Sequence, residues 1–164
     1  MINRIEQLRC QIDDLSEEQC HSDSWARFYL PHMYAVSNFA LMIAEKRGLD
    51  PELAAMIGLL HDIHSLLTQS TEKHAKYGSE LAREILAEMN LVGEEEMDII
   101  CTAIKNHSKK RSVHDEYSEL AKDADVLSHY YHDGFCPAIE KDRARLEALN
   151  LEFELDEILA HLPR

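Results

Sequence analysis

The chain has 164 residues, 45% hydrophobic and 29% charged, with a formal net charge of −14 and ten histidines. That length supports one domain, 1–164, with a real core, and five Gly with four Pro disfavour a turn-rich β architecture. The acidic field argues against nucleic acid polymers and anionic membranes as partners, and an anionic substrate then needs metal ions or clustered Lys and Arg beside it.

Residues 2–17 read as an amphipathic helix with Ile5, Leu8 and Ile12 on one face, and not as a signal peptide. Ser22, Asp23 and Ser24 offer N-caps for a second segment. Pro31 predicts the first turn of a new helix reaching about Arg47, with Gly48 as its stop. Asp50-Pro51-Glu52 is a start signal, and the helix it opens carries GLLHDIHSLL at 58–67. In that stretch His61, Asp62 and His64 interrupt an otherwise apolar run.

TQST at 68–71 is a polar break. Residues 73–89 are helical with Leu81, Ile85 and Leu86 buried, and Gly93 separates them from a helix over 94–107. A basic-to-acidic loop at 108–116 leads to a helix over 117–132, DGFCP at 133–137 breaks it, and one or two helices over 138–161 close the chain. No strand pattern is present, so the fold expected is an all-α bundle. Cys10, Cys20, Cys101 and Cys136 form no CxxC pair, and no apolar run is long enough to span a membrane. Reduced thiols and a cytoplasmic location follow as expectations.

Polar residues embedded in apolar helices fall in a series: His32, His61-Asp62, His74, His107, and Asp123 with Asp125. Imidazole and carboxylate suit divalent transition metals, and bundles build such sites in their cores. Taken alone, His61-Asp62 reads first as a structural ion pair, and His107 has the alternative of a charged histidine at a helix end.

The series His32, His61-Asp62, Asp123, with the contexts GLLHDI, HAKYGSELAREIL, AIKNHS and DADVL, resembles the HD superfamily of metal-dependent phosphohydrolases. The resemblance covers about residues 28–133. It implies an HD-type helical bundle with His32, His61, Asp62 and Asp123 as metal ligands, Asp125 being the less favoured choice. His74 and His107 match the extra ligands of binuclear members, in which Asp62 would bridge two ions. By motif the chain is similar to the bacterial members that cleave diadenosine tetraphosphate. The cofactor implied is a pair of divalent ions, drawn from Fe, Mn, Co, Ni or Zn.

One departure stands out. Many members place a phosphate-contacting Lys three residues after the doublet, and here Ser65 occupies that position, after His64.

The activity expected is hydrolysis of a small phosphate ester or anhydride, most naturally a nucleotide, by a metal-activated water. Asp62, His64 and Lys105 are the catalytic candidates, and Lys109, Lys110 and Arg111, the densest basic cluster, are candidates for substrate contact. His129 and His132 stand one turn apart, at a spacing compatible with metal binding, but the reading favoured for them is pocket wall or a solvent-facing surface. A di-iron oxygenase and a non-catalytic metal- or nucleotide-binding module are the alternatives, and self-association as a homodimer is left open.

Overall fold

The computed structural model describes residues 3–132 and 136–154, and of 136–139 the backbone alone. Eight helices follow one another among the described residues: α1 (Arg4–Gln19), α2 (Asp23–Arg47), α3 (Pro51–Leu60), α4 (Ile63–Thr68), α5 (His74–Met89), α6 (Glu94–Asn106), α7 (Glu116–Tyr131) and α8 (Cys136–Phe153). No strand occurs among these residues, and none of the helices is long and apolar enough to cross a membrane. The fold is the all-α bundle expected. Residues 133–135 of DGFCP and the stretch 155–164 lie outside the described residues.

Local chemistry accounts for most of the boundaries. Asp50 caps α3, its Oδ1 accepting from the N–H groups of Glu52 (2.8 Å) and Leu53 (3.2 Å). Gly48 ends α2 at φ +70°, a conformation that costs glycine nothing. Asp115 caps α7, accepting from the Ser118 N–H and hydroxyl.

Two boundaries differ from expectation. Pro31 does not begin a helix but sits inside α2, which runs unbroken from Asp23. Proline removes the hydrogen bond to residue 27, and both Arg27 and Pro31 are exposed, so water can serve that carbonyl. The helix opened by Pro51 is also not continuous. It stops at Leu60, turns through His61 and Asp62, and resumes as α4, with Asp62 at φ −114° and ψ 19°.

The core has two parts. Leu8 and Ile12 of α1 join Met56, Leu60, Leu66, Leu86, Ile100 and Ile104 in one cluster. Val36, Ala40 and Ile43 of α2 join Leu120, Ala124 and Leu127 of α7 with Leu146 and Leu149 of α8 in the other. Helices α2 and α3 pack closely where they meet. A Cβ on Gly58 would stand 2.5 Å from the Ser37 Cα, so only glycine fits the crossing. The Ser37 hydroxyl donates to the Ala55 carbonyl at 2.9 Å beside it. This close approach fixes the spacing between His32, on α2, and His61, at the end of α3.

Candidate metal centre

Four imidazoles converge from α2, the α3–α4 turn, α5 and the end of α6. His32, His61 and His107 are buried, and His74 is partly exposed. They form two pairs that face through Nε2: His32 with His61 at 3.2 Å, and His74 with His107 at 3.2 Å. Asp62 lies between the pairs. Its Oδ2 is 3.5 Å from His61 Nε2 and 3.9 Å from His32 Nε2, and its Oδ1 is 3.5 Å from His74 Nε2 and 3.6 Å from His107 Nε2.

The opposite ring nitrogens are already committed. Nδ1 donates to the Gly58 carbonyl from His61 (2.8 Å), to Ile104 from His107 (2.7 Å) and to Thr71 from His74 (3.1 Å). His32 Nδ1 meets the Ser128 hydroxyl at 3.1 Å. A neutral imidazole has one N–H, so these bonds leave the Nε2 lone pairs of His61, His74 and His107 pointing into the cluster. Burial pushes the His61 pKa down, which favours that neutral form.

Asp125 completes the first pair, its Oδ1 lying 3.4 Å from His32 Nε2 and 3.9 Å from His61 Nε2. Burial opposes ionisation of both carboxyls, yet both stay well below the usual carboxylate range. At Asp125, Lys110 with His129 outweighs burial, and at Asp62 the positive charge of His61 and His107 does so when their Nε2 atoms carry protons, the place a cation would take. Asp62 Oδ1 and Asp125 Oδ1 are enclosed without a well-aligned hydrogen bond from any described residue, although His129 Nε2 approaches Asp125 Oδ1 to 3.1 Å.

Ligand atoms about 2.1 Å from one ion stand roughly 3.0–3.5 Å apart, close to the separations in each pair. Lone pairs that face one another, beside carboxylate oxygens without hydrogen bonds, are the donor set a divalent cation satisfies. The residues fit a metal.

Asp123 is not part of this cluster. Its carboxylate bonds Arg145 Nη1 at 2.5 Å and Arg47 Nη2 at 2.7 Å, tying α7 to α8 and α2. A helix turns 100° per residue, so residues two apart face opposite ways. Asp125 shares its face with Ser128 and His129, three and four residues on, and Asp123 shares its own with Glu119, which also bonds Arg145 (2.9 Å). The helical phase of α7 therefore turns Asp125, not Asp123, to the imidazoles.

A cleft of about 340 Å³ opens onto the cluster, with Phe28, Ser65, Lys110, His129 and Lys141 in its wall. His64 does not line it. Its ring packs 5.3 Å from that of Tyr77 on α5. Lys105 is exposed and borders a neighbouring cleft with Lys73 and Lys76. Lys109 and Arg111 line a third cleft, and Lys110 spans the central and third ones while its Nζ bonds Asp125 Oδ2 at 2.6 Å. Ser65, at the position of the expected Lys, is buried, and its carbonyl accepts from Trp25 Nε1 at 2.5 Å. Phe28 and Lys141 carried no sequence signal, being one aromatic and one lysine among many. His129 stacks on His32 with ring centroids 4.9 Å apart.

The HD domain family matches residues 29–130. The chain belongs to this family, whose members form a class of metal-dependent phosphohydrolases. Among its relatives, ribonuclease Y of Thermus thermophilus is 32% identical over 127 residues, covering 77% of this chain and 21% of that protein. Ribonuclease Y of Clostridium botulinum is 39% identical over 74 residues, covering 43% of this chain and 14% of that protein. That of Chlorobium luteolum is 31% identical over 99 residues, covering 60% and 17%. The chain thus spans about a fifth or less of the length of these relatives. No solved structure matches it. Relatives named as ribonucleases lend no support to the expectation that net charge excludes nucleic acid polymers. The physical reason lies in the uneven charge: basic residues gather around the cleft despite the overall −14.

Proposed function

We propose that this chain holds two divalent ions and hydrolyses a nucleotide phosphate ester or anhydride. The observation that carries the reading is the pair of facing imidazole couples with Asp62 between them. His32, His61, Asp62 Oδ2 and Asp125 would hold one ion, and His74, His107 and Asp62 Oδ1 the other. Bound divalent ions lower the pKa of water toward neutrality and polarise a phosphoryl oxygen.

The protein's own groups supply orientation and charge. Backbone carbonyls at Gly58, Ile104 and Thr71 lock three imidazoles in the tautomer that leaves Nε2 available. Lys110 offsets the charge of Asp125 and stands at the cleft wall, where its ammonium can meet a phosphate oxygen. Phe28, exposed at the cleft and stacked with His32 at 6.1 Å, offers an apolar face to a nucleobase. The relatives named for cleaving RNA make an RNA phosphodiester one form of the same substrate class.

The test is metal content after anaerobic purification, followed by a nucleotide and RNA panel with Mn²⁺, Fe²⁺, Co²⁺ and Ni²⁺. Two ions per chain are expected, falling toward one in His74→Ala or His107→Ala, with most metal lost in Asp62→Ala. Oxygen consumption on an organic substrate, with no phosphate ester cleaved across the panel, would overturn the hydrolase reading in favour of oxygenase chemistry.

A further inference from the structure

The wall of the central cleft differs in character from one element to the next. Lys110 and Lys141 bring charge from the loop after α6 and from α8, whereas α2 and α4 contribute Phe28, Tyr29 and Ser65 beside the imidazole of His32. The uncharged residues form one contiguous group. Tyr29 meets Phe28 edge to face and stacks on Trp25, with ring centroids 5.1 Å apart in both cases. Trp25 Nε1 donates to the Ser65 carbonyl at 2.5 Å, which fixes Ser65 against this aromatic group. Burial, and then Asp62, push the Tyr29 pKa up while the neighbouring Ser65 hydroxyl opposes them, so the phenol keeps its proton.

The Ser65 hydroxyl is the feature that packing leaves unexplained. The residue is 1% exposed, and its Oγ has no hydrogen-bond partner among the described residues, Tyr29 lying beside it without an aligned bond. An enclosed hydroxyl in that state costs stability and calls for a partner that comes from outside the fold. Water can serve it in an empty cleft, and a ligand that displaces water there keeps its affinity only by returning the hydrogen bonds.

The chemistry of the surroundings selects the ligand group. The charge felt at Tyr29 is that of the Asp62 carboxylate, and no lysine or arginine bonds either hydroxyl among the described residues. An anionic oxygen is better placed against bound cations and Lys110. A base stacked on Phe28 carries its sugar directly bonded to it, which sets the sugar beside the next ring, Tyr29.

We propose that the Ser65 and Tyr29 hydroxyls form a sugar subsite, exchanging hydrogen bonds with a ribose hydroxyl of the nucleotide whose base lies on Phe28. This rests on the proposed function for the class of ligand, and it makes Ser65 and Tyr29 specificity-determining residues. A hydroxyl both donates and accepts, so one substrate hydroxyl can accept from the phenol and donate to Ser65 Oγ. A sugar lacking that hydroxyl leaves both protein groups unpaired, which is how a site built around a hydrogen bond rejects an analogue.

The chain has one tryptophan, and Trp25 touches both residues, so its fluorescence reports on the subsite without need of turnover. The full chain with Mn²⁺ is titrated with AMP, 2′-deoxy-AMP and 3′-deoxy-AMP. The native chain should bind AMP about tenfold or more tightly than at least one analogue, and the analogue that suffers identifies the hydroxyl. Ser65→Ala and Tyr29→Phe should each shrink that ratio severalfold, and the double variant should bring it close to one. Ser65→Ala should also leave Tm unchanged or raise it, because the hydroxyl it removes has no partner in the fold.

Equal affinity for AMP and both analogues in the native chain, a ratio that survives in both variants, or a lower Tm in Ser65→Ala would overturn the subsite. Cleavage of nucleotides without any sugar preference would overturn it and leave the proposed function standing. A sugar preference that is lost in the variants, with no phosphate ester cleaved, would leave the subsite standing and overturn the proposed activity alone.

Discussion

His74 and His107 point their Nε2 atoms at one another across 3.2 Å while both Nδ1 atoms donate to backbone carbonyls. In the neutral rings no proton lies between those nitrogens, and two lone pairs at that distance repel. Their proximity is favourable with a cation between them. Removing metal with a chelator should therefore destabilise the fold as well as abolish activity. At metal concentrations near 100 times Kd the stabilisation is about 2.7 kcal/mol, which for a domain of this size is a fall in Tm of roughly 5–10 °C on chelation. Calorimetry with and without chelator measures it, and an unchanged Tm would sink the argument from facing lone pairs.

Asp123 and Asp125 should separate stability from metal binding. Asp125→Asn removes a charged oxygen beside His32 and should lower bound metal and activity together. Asp123→Asn leaves the imidazole cluster intact but weakens the pairs with Arg47 and Arg145. Breaking a buried ion pair costs about 3–5 kcal/mol; with these arginines a fifth to a quarter exposed, about 1–3 kcal/mol is the expected loss. Urea denaturation and metal analysis on both variants decide it. Metal loss in Asp123→Asn with full occupancy in Asp125→Asn would reverse the assignment.

Asp123 and Asp125 differ in a respect that no local sequence pattern determines. His32, His61, Asp62, His74 and His107 were legible because each sits in a local motif, and the helices that carry them bring them together. The choice within DAD depends on the phase of α7 against α2, a tertiary fact. Its trace in the sequence is the i, i+4 spacing of Glu119 with Asp123 and of Asp125 with His129. His64 and Lys105 are close in the chain to His61 and His107, but the helical turn directs both side chains elsewhere. The break at His61–Asp62 had no glycine or proline to announce it, and Pro31 announced a helix start that the exposed face of α2 made unnecessary. Lys141 reaches the cleft from α8, 79 positions after Asp62, and no local pattern reports such a long-range approach.

The loop that bears Lys109–Arg111 should be acid-sensitive through Glu119. Burial pushes the Glu119 carboxyl up, but Lys122, the His114 N–H and Arg145 outweigh it and hold it below its ordinary 4.5. A depressed carboxyl contributes stability above the unfolded value, and that stability is lost as pH falls through the folded one. Lys122 is fully buried, bonds Glu119 at 2.5 Å and donates to the Ser112 carbonyl at 2.8 Å, so protonating Glu119 loosens the loop's anchor. Urea denaturation at a series of pH values should show native stability falling below about pH 5. The fall should be shallower in Glu119→Gln, which starts from a lower stability at neutral pH. Identical slopes for the two proteins would remove Glu119 from the account.

Gly58 tests whether the α2–α3 crossing governs the metal centre. An added methyl would lie 2.5 Å from the Ser37 Cα and 2.6 Å from its nitrogen, and backbone atoms cannot rotate away as a side-chain tip can. Helices α2 and α3 must then move apart. Overpacking of this kind costs about 1–3 kcal/mol, and backbone overlap puts Gly58→Ala at the upper end. The same movement should widen the gap between His32 and His61 while sparing His74 and His107, which come from α5 and the end of α6. The expected result is a less stable protein that loses one ion more readily than the other. A metal titration with two resolved affinities, only one weakened in the variant, supports the coupling. Equal weakening of both would mean that the substitution disturbs the whole bundle and not the crossing alone.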